Sequence, residues 1–314
     1  EVEMILPIPN SDEIRELDAL LEAPAGHTIG VLGLGVVGRA MARHLASRGA
    51  SVVAADLRET LEGVSELGDE IQLKLGPMSA QTFAEVDALA ISPGAHPQQV
   101  AVQAVRERGK PVFGELELCR RIPARVVAIT GTNGKSTTTA LIGALVRAAG
   151  LRAFVGGNLG EPIIDWIDNG EPADVAVIEL SSFQLADLAC LQRRPEISLI
   201  TNLSENHLDW HKSYENYLAA KREILAPAPA AGLAVLNLFD STLAQWAKET
   251  PREIAAIASD IEDELGISVD HESGRVSGLV DGEQKLLFCR EDLQLRGDFN
   301  LLNAATAAAA ATGM

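Results

Sequence analysis

The chain is poor in cysteine and in positive charge, and it has no long apolar run. Only three of its 314 residues are cysteines: Cys119, Cys190 and Cys289. They are scattered and odd in number. This excludes a disulfide framework and a zinc spacing, and it fits a reducing compartment. Lys and Arg number 26 against 44 Asp and Glu, for a formal net charge of −18. Such a chain lacks the basic surface that general nucleic-acid or anionic-membrane binding needs. A small anionic ligand is not excluded, because one local basic pocket suffices. No apolar run reaches the roughly 18 residues of a membrane span. No signal-peptide pattern and no internal repeat is visible. What is present is core-forming material. The chain is 47% hydrophobic, enough to fill proper cores without a metal or disulfide staple. At roughly 150 residues per domain, two domains are expected.

Residues 1–26 are acidic and contain proline. Asn10 and Glu13 have capping-box spacing for a short helix through Leu21, and the segment reads as a surface extension. From Thr28 the texture is α/β. Strand-length apolar runs at 28–32, 51–55, 88–91 and 111–113 are separated by helix-like stretches, the first at 39–48. Pro123 marks a domain boundary. A second series opens with the run 126–129 and a helix over 137–149. Buried-strand runs follow at 175–180, 197–203 and 233–238. Asp281-Gly282 between two alternating stretches reads as a hairpin, and 301–314 as an Ala-rich helix. Alternating strands and helices predict parallel sheets with helices on their faces.

Five motifs carry chemistry. Gly33-x-Gly35-x-x-Gly38, with Asp56 about 20 residues on, suits a diphosphate at a helix N-terminus. It also suits a glycine turn needed only for packing, and it does not say which nucleotide binds. Thr130-Gly131-Thr132-Asn133-Gly134-Lys135-Ser136-Thr137 follows a strand and precedes a helix, as a phosphate loop must. Its backbone N–H groups would cradle phosphates, Lys135 would reach the β/γ oxygens, and Ser136 would ligate Mg²⁺. The loop is a variant, with Ile129 where the strict pattern has Gly. Glu179, in Glu179-Leu180-Ser181-Ser182-Phe183-Gln184, closes a buried strand, where an acid can hold Mg²⁺ or simply face solvent. His207, in Thr201-Asn202-Leu203-Ser204-Glu205-Asn206-His207-Leu208-Asp209-Trp210-His211, again follows a strand; it is a ligand or a structural histidine. Lys221, in Tyr217-Leu218-Ala219-Ala220-Lys221, reads by itself as a surface charge on a helix. The expected fold class is α/β: a Rossmann-like parallel-sheet domain over 1–122, then a P-loop ATPase-like domain over 123–314 with a small antiparallel addition.

Together and in this order these motifs resemble the Mur ligases, the ATP-dependent amide ligases of peptidoglycan precursor synthesis. The resemblance covers most of residues 126–221. The N-terminal segments (GLGxxG, Asp56-Leu57-Arg58, Ser92-Pro93-Gly94) and Gly156-Gly157-Asn158-Leu159-Gly160 are similar to members that add D-glutamate to UDP-N-acetylmuramoyl-L-alanine, although Leu57 stands where a Thr is familiar. The resemblance implies an acyl phosphate, formed from ATP and opened by the amine of D-glutamate. It implies catalytic roles for Lys135, Glu179, His207 and Lys221. ATP would be bound by Gly131, Thr132, Asn133, Gly134, Lys135, Ser136, Thr137, Asn300 and Asn303. The UDP precursor would be bound by Val36, Val37, Asp56, Arg58, Ser92, Gly94, Asn158 and Ser181. Two Mg²⁺ ions would be held by Ser136, Glu179, His207 and a carbamylated Lys221. In Gly297-Asp298-Phe299-Asn300-Leu301-Leu302-Asn303, Phe299 replaces the family's usual His, and its bland reading is packing.

The resemblance further implies a bacterial cytoplasmic monomer. It also implies a third, amino-acid-binding domain, no motif of which occurs before Met314, so a cut chain is expected. The alternatives are a sibling ligase adding another amino acid, folylpolyglutamate synthase, a nucleotide-binding fragment without catalysis, and an NAD-dependent oxidoreductase resting on the glycine motif and Asp56. The last leaves the phosphate loop and the motifs after it without a purpose.

Overall fold

A computed structural model of the chain describes residues 11–119, 122–187, 195–226, 232–261, 265–280 and 282–314. Asn10, Cys190 and Asp281 lie outside these residues. The described chain forms two compact units. The first takes in residues up to 119 together with Pro162–Glu171 and residues from Phe183. The second takes in Ile122–Glu161, Pro172–Ser182 and residues from 195 to Met314.

The first unit opens with helix α1 (Ser11–Glu22) and continues β1 (Thr28–Leu32), α2 (Val36–Ser47), β2 (Ser51–Asp56), β3 (Ile71–Leu75), β4 (Ala88–Ile91), α3 (Val100–Glu107), β5 (Val112–Gly114) and the single turn α4 (Glu115–Leu118). Its five strands are parallel in the order β3-β2-β1-β4-β5. The order reverses between β1 and β4, the switch point where open α/β sheets bind ligands. Leu32, Val53, Phe83, Leu89 and Val102 pack together in its core. Two expectations change. Helix α2 starts at Val36, inside the glycine motif rather than after it. Between 56 and 88 the chain makes the edge strand β3 where a helix-like stretch was expected.

The second unit runs β6 (Arg125–Thr130), α5 (Lys135–Ala148), β7 (Ala153–Gly157), then α6 (Ile163–Asn169) in the first unit, β8 (Val175–Glu179), α7 (Ser182–Asp187), which belongs to the first unit from Phe183 on, β9 (Ile197–Ile200), α8 (Leu208–His211), α9 (Tyr214–Arg222), β10 (Leu233–Asn237), α10 (Ser241–Glu249), β11 (Glu253–Ala258), β12 (Ile267–Asp270), β13 (Arg275–Val280), β14 (Glu283–Cys289) and α11 (Asp298–Thr312). The sheet order is β14-β13-β12-β11-β10-β9-β6-β8-β7. Seven strands are parallel, and β13 and β14 add the expected antiparallel hairpin. Strands β8 and β10 are buried along their whole length, as continuous apolar runs in a doubly covered sheet must be. Ile142 and Val146 of α5, and Leu301 and Ala305 of α11, pack on this sheet. The alanines of α11 leave no bulk to hold the helix away from it. Strand β9 ends at Ile200, so Thr201–Leu203 is a loop rather than strand. That shift frees its polar groups for the site.

Candidate active site

The phosphate-loop motif joins β6 to α5 at the carboxyl ends of the central strands, with β8 and β9 on either side. Gly134 caps α5 in the left-handed region (φ 81°), and no side chain caps the helix. Its first N–H groups are therefore open, with the positive end of the helix dipole behind them. The loop is held from the β9 side. Thr132 N donates to Asn202 O at 2.8 Å, and Asn133 N donates to Asn202 Oδ1 at 3.0 Å. Asn202 Nδ2 and Thr201 Oγ1 both donate to Asn133 O, at 2.9 and 2.6 Å. Thr132 Oγ1 lies 2.8 Å from the Tyr217 hydroxyl and accepts from Ser204 N at 2.9 Å. Lys135 Nζ donates to Thr132 O at 2.9 Å. Burial holds its pKa below the usual lysine value, against the pull of Glu179.

Behind the loop sit two buried ionisable groups. Glu179 ends β8; Asn158 Nδ2 donates to its Oε1 at 2.9 Å, while its Oε2 is buried with no hydrogen-bond partner. A buried carboxylate oxygen left bare is costly, and a cation is what would satisfy it. Lys221, on α9, is only 1% exposed. Its Nζ donates to Gly131 O at 2.8 Å and to Thr130 Oγ1 at 3.1 Å, and stands 4.9 Å from the Tyr217 ring centroid. Burial pushes its pKa down to about 7, helped by the charge of Lys135 and opposed by Glu179. The bare-sequence reading of Lys221 as a surface charge is thus wrong. Ser136 and His207 are exposed, and Thr137 is half-buried. His207 caps α8 in the left-handed conformation (φ 52°). Among the described residues no group of three or more His, Cys, Asp or Glu converges as a ready metal cage.

Helix α11 reaches the loop through Asn303, whose amide blocks the space a Cβ on Gly134 would need. Asn303 Nδ2 donates to Asn300 Oδ1 at 3.0 Å, and Asn300 Nδ2 to Arg296 O at 2.8 Å. Both asparagines are buried, whereas Phe299 is 66% exposed. The packing reading of Phe299 is therefore corrected: the ring faces solvent.

In the first unit, two of the expected precursor residues, Asp56 and Ser92, border the glycine turn. A Cβ on Gly38 would strike Gly33 O, so that glycine is required by helix–strand packing whatever binds. Asp56 is fully engaged. Arg58 Nε and N donate to its Oδ1 at 2.8 and 3.0 Å, and Arg58 Nη2 and Leu34 N donate to its Oδ2, both at 2.7 Å. These bonds, the Arg58 side chain foremost, hold its pKa down to about 2. An acid already saturated in this way is poorly placed to accept from a dinucleotide ribose. Val36 and Gly94 are exposed, Val37 is half-buried, and Ser92 is buried beside the turn. Asn158, exposed, and Ser181, buried, belong to the second unit.

Sequence reasoning missed Tyr217, Thr201, Asn202 and Asp240. The first three lay inside quoted motifs without a role. Asp240 Oδ2 accepts from Leu203 N at 2.8 Å, while Oδ1 caps α10 through Thr242 N and Leu243 N. Its signal was an Asp preceding Ser-Thr after a buried strand.

The chain belongs to the Mur ligase family: the Mur ligase middle domain matches residues 129–311, and the Mur ligase MurD-like N-terminal domain matches residues 27–114. Curated relatives carry the name UDP-N-acetylmuramoylalanine–D-glutamate ligase. The protein of Desulfatibacillum aliphaticivorans is 36% identical over 293 residues, covering 90% of this chain and 63% of the relative. That of Trichlorobacter lovleyi is 41% identical over 229 residues, covering 71% and 51%. The chain thus spans less than two thirds of the length of these relatives. Among solved structures, the UDP-N-acetylmuramate:L-alanyl-gamma-D-glutamyl-meso-diaminopimelate ligase from Neisseria meningitides superposes with a TM-score of 0.59 at 20% identity, covering 91% of this chain and 93% of that one. The murein peptide ligase from Psychrobacter arcticus gives 0.57 at 17% identity, covering 91% and 65%. These two likenesses show the shared fold.

Proposed function

We propose that this chain carries the ATP and UDP-precursor sites of a ligase that adds D-glutamate to UDP-N-acetylmuramoyl-L-alanine. One observation carries the reading: a phosphate loop backed by Lys135, by a buried Glu179 with one bare oxygen, and by a buried Lys221, all electrostatically coupled. In the proposed reaction the alanyl carboxylate attacks the γ-phosphorus and ADP leaves. The amine of D-glutamate then attacks the acyl carbon, loses a proton, and phosphate departs. Both partners of the first step are anions, so positioning and positive charge do most of the work. Lys135 would leave Thr132 O for the phosphate oxygens, and the open α5 N-terminus would face them. Asn300 and Asn303 would brace the loop beside the nucleotide base. Val36, Val37, Arg58, Ser92, Gly94, Asn158 and Ser181 would bind the precursor, with Arg58 as the charge partner and Asp56 holding the Arg58 guanidinium in place.

Magnesium fits this site. Such ions are usually held by one or two carboxylates together with phosphates and water, and Glu179 Oε2 supplies a buried oxygen. Glu179, Ser136 and His207 would hold it, and when bound it would neutralise phosphate charge. Lys221 is poised to join them as a carbamate. Only a neutral amine attacks CO₂, and burial favours the neutral form. The new N–C bond costs the nitrogen one proton, and an anionic oxygen ligand results.

The test is ADP release and ligation with UDP-N-acetylmuramoyl-L-alanine, offering D-glutamate, L-alanine and a diamino acid in competition. D-glutamate should be incorporated. Lys221→Ala should abolish ligation, with partial return on adding acetate. Full activity of the unrescued variant, or preference for another amino acid, would overturn the assignment.

A further inference from the structure

His211 has no place in the reading above, yet it is completely buried. It is also the only buried residue of α8. That helix is one turn long, too short to hold itself together. It is bounded by two non-glycine residues in the left-handed region, His207 (φ 52°) and Lys212 (φ 69°), the only such residues described. Side chains disfavour that conformation, and it persists only where the surroundings impose it. Here Trp210 N and His211 N both donate to His207 O, at 3.1 and 3.0 Å. The ring of His211 supplies the anchorage. Its Nε2 lies 2.9 Å from Ser182 Oγ. Its faces and edges meet Trp210 at 4.6 Å and Tyr217 at 5.3 Å between ring centroids. Asn216 Nδ2 fixes its carbonyl at 2.9 Å. Ser182 follows the Glu179 strand end, and Tyr217 is the residue that holds Thr132 of the phosphate loop.

We infer that His211 is a positioning residue: its buried ring, pinned between Ser182 and Tyr217, sets the backbone from which His207 is offered to the nucleotide site. The inference rests on the proposed nucleotide-metal role of His207 and adds to it the group that enforces the geometry.

The measurement is calorimetric binding of ATP to this chain with and without Mg²⁺. It compares wild type, His207→Ala, His211→Phe, Ser182→Ala and the double variant His207→Ala/His211→Phe. Wild type should bind ATP more tightly with Mg²⁺. Removing a group that orients a metal ligand typically costs on the order of 10-fold in metal affinity. His211→Phe should therefore lose about 10-fold of the Mg²⁺-dependent gain, with metal-free ATP affinity unchanged. Ser182→Ala, which opens no cavity, should lose less in the same direction, and it carries the test if His211→Phe does not fold. The double variant should lose no more than His207→Ala. An additive loss in the double variant, or an equal loss of metal-free binding, makes His211 merely structural and overturns the inference. If wild type shows no Mg²⁺-dependent binding, the parent reading fails and this one with it; if His207→Ala is impaired while both His211→Phe and Ser182→Ala keep the full gain, only this one fails.

Discussion

At the scale of single residues, burial rather than identity decides what the ionisable groups do. Lys221 sits at an ordinary helical position in the sequence, and only its burial turns it from a surface cation into an amine that is about half neutral near pH 7. Its folded pKa lies below its unfolded value, so the unfolded chain binds more protons between about 7 and the ordinary lysine value of 10.5. The penalty for burying its charge is full below that window and fades as pH rises through it. Glu115 behaves in the opposite sense. It is 1% exposed, accepts from Gln184 Nε2 at 2.8 Å, and leaves Oε1 buried without a partner. Burial pushes its pKa up to about 7 from the ordinary glutamate value of 4.5. The folded state therefore binds the extra proton, and stability falls as pH rises from 4.5 through 7. Glu115→Gln should remove that loss. Thermal melts should show the variant more stable than wild type at pH 8, by at most roughly 3 kcal/mol, and close to it at pH 5. A variant less stable at pH 8 would show that the ionised carboxylate is stabilising.

At the scale of elements, the site is assembled from strand ends and the turns after them. β6, β8 and β9 deliver the phosphate loop, Glu179 and Thr201-Asn202 side by side because they are neighbours in one parallel sheet. Asp240 then ties the β9 loop to the start of α10. Asp240→Ala removes a helix cap and leaves Leu203 N bare, which together cost about 2 kcal/mol. The melting temperature should fall by several degrees, and ATP affinity should weaken as the Asn202 side of the loop loosens. Unchanged ATP affinity in a folded variant would detach Asp240 from the site. Elements that were hard to read have local reasons. Strand β3 is an edge strand with exposed Gln72, Leu73 and Leu75, so it shows no continuous apolar run. Strand β11, Glu253–Ala258, is half alanine, a composition that also suits helix; pairing with β10 and β12 makes it a strand.

At the scale of the whole molecule, a net charge of −18 coexists with ligands that are all proposed to be anionic. Positive charge therefore has to be local: Lys135, the open α5 N-terminus and Arg58. In a melting assay ATP-Mg²⁺ and UDP-N-acetylmuramoyl-L-alanine should each raise the transition temperature, while NADH should not. Protection by NADH alone would reinstate the dinucleotide reading that the saturated Asp56 argues against. Among the described residues no helix is long and apolar enough to cross a membrane. The sequence by itself determined the α/β class, the phosphate loop and the family, because glycine turns and buried apolar runs are local signals of backbone geometry and sheet burial. It also marked the phosphate loop, Glu179 and the His207 segment as following buried strands, and the ends of neighbouring parallel strands share one edge of a sheet. Only the tertiary structure decided which polar residues matter. Burial sets the charge of Lys221 and Glu115, leaves Glu179 Oε2 bare, exposes Phe299 and locks His211, and burial arises from neighbours tens of residues away that no local pattern records.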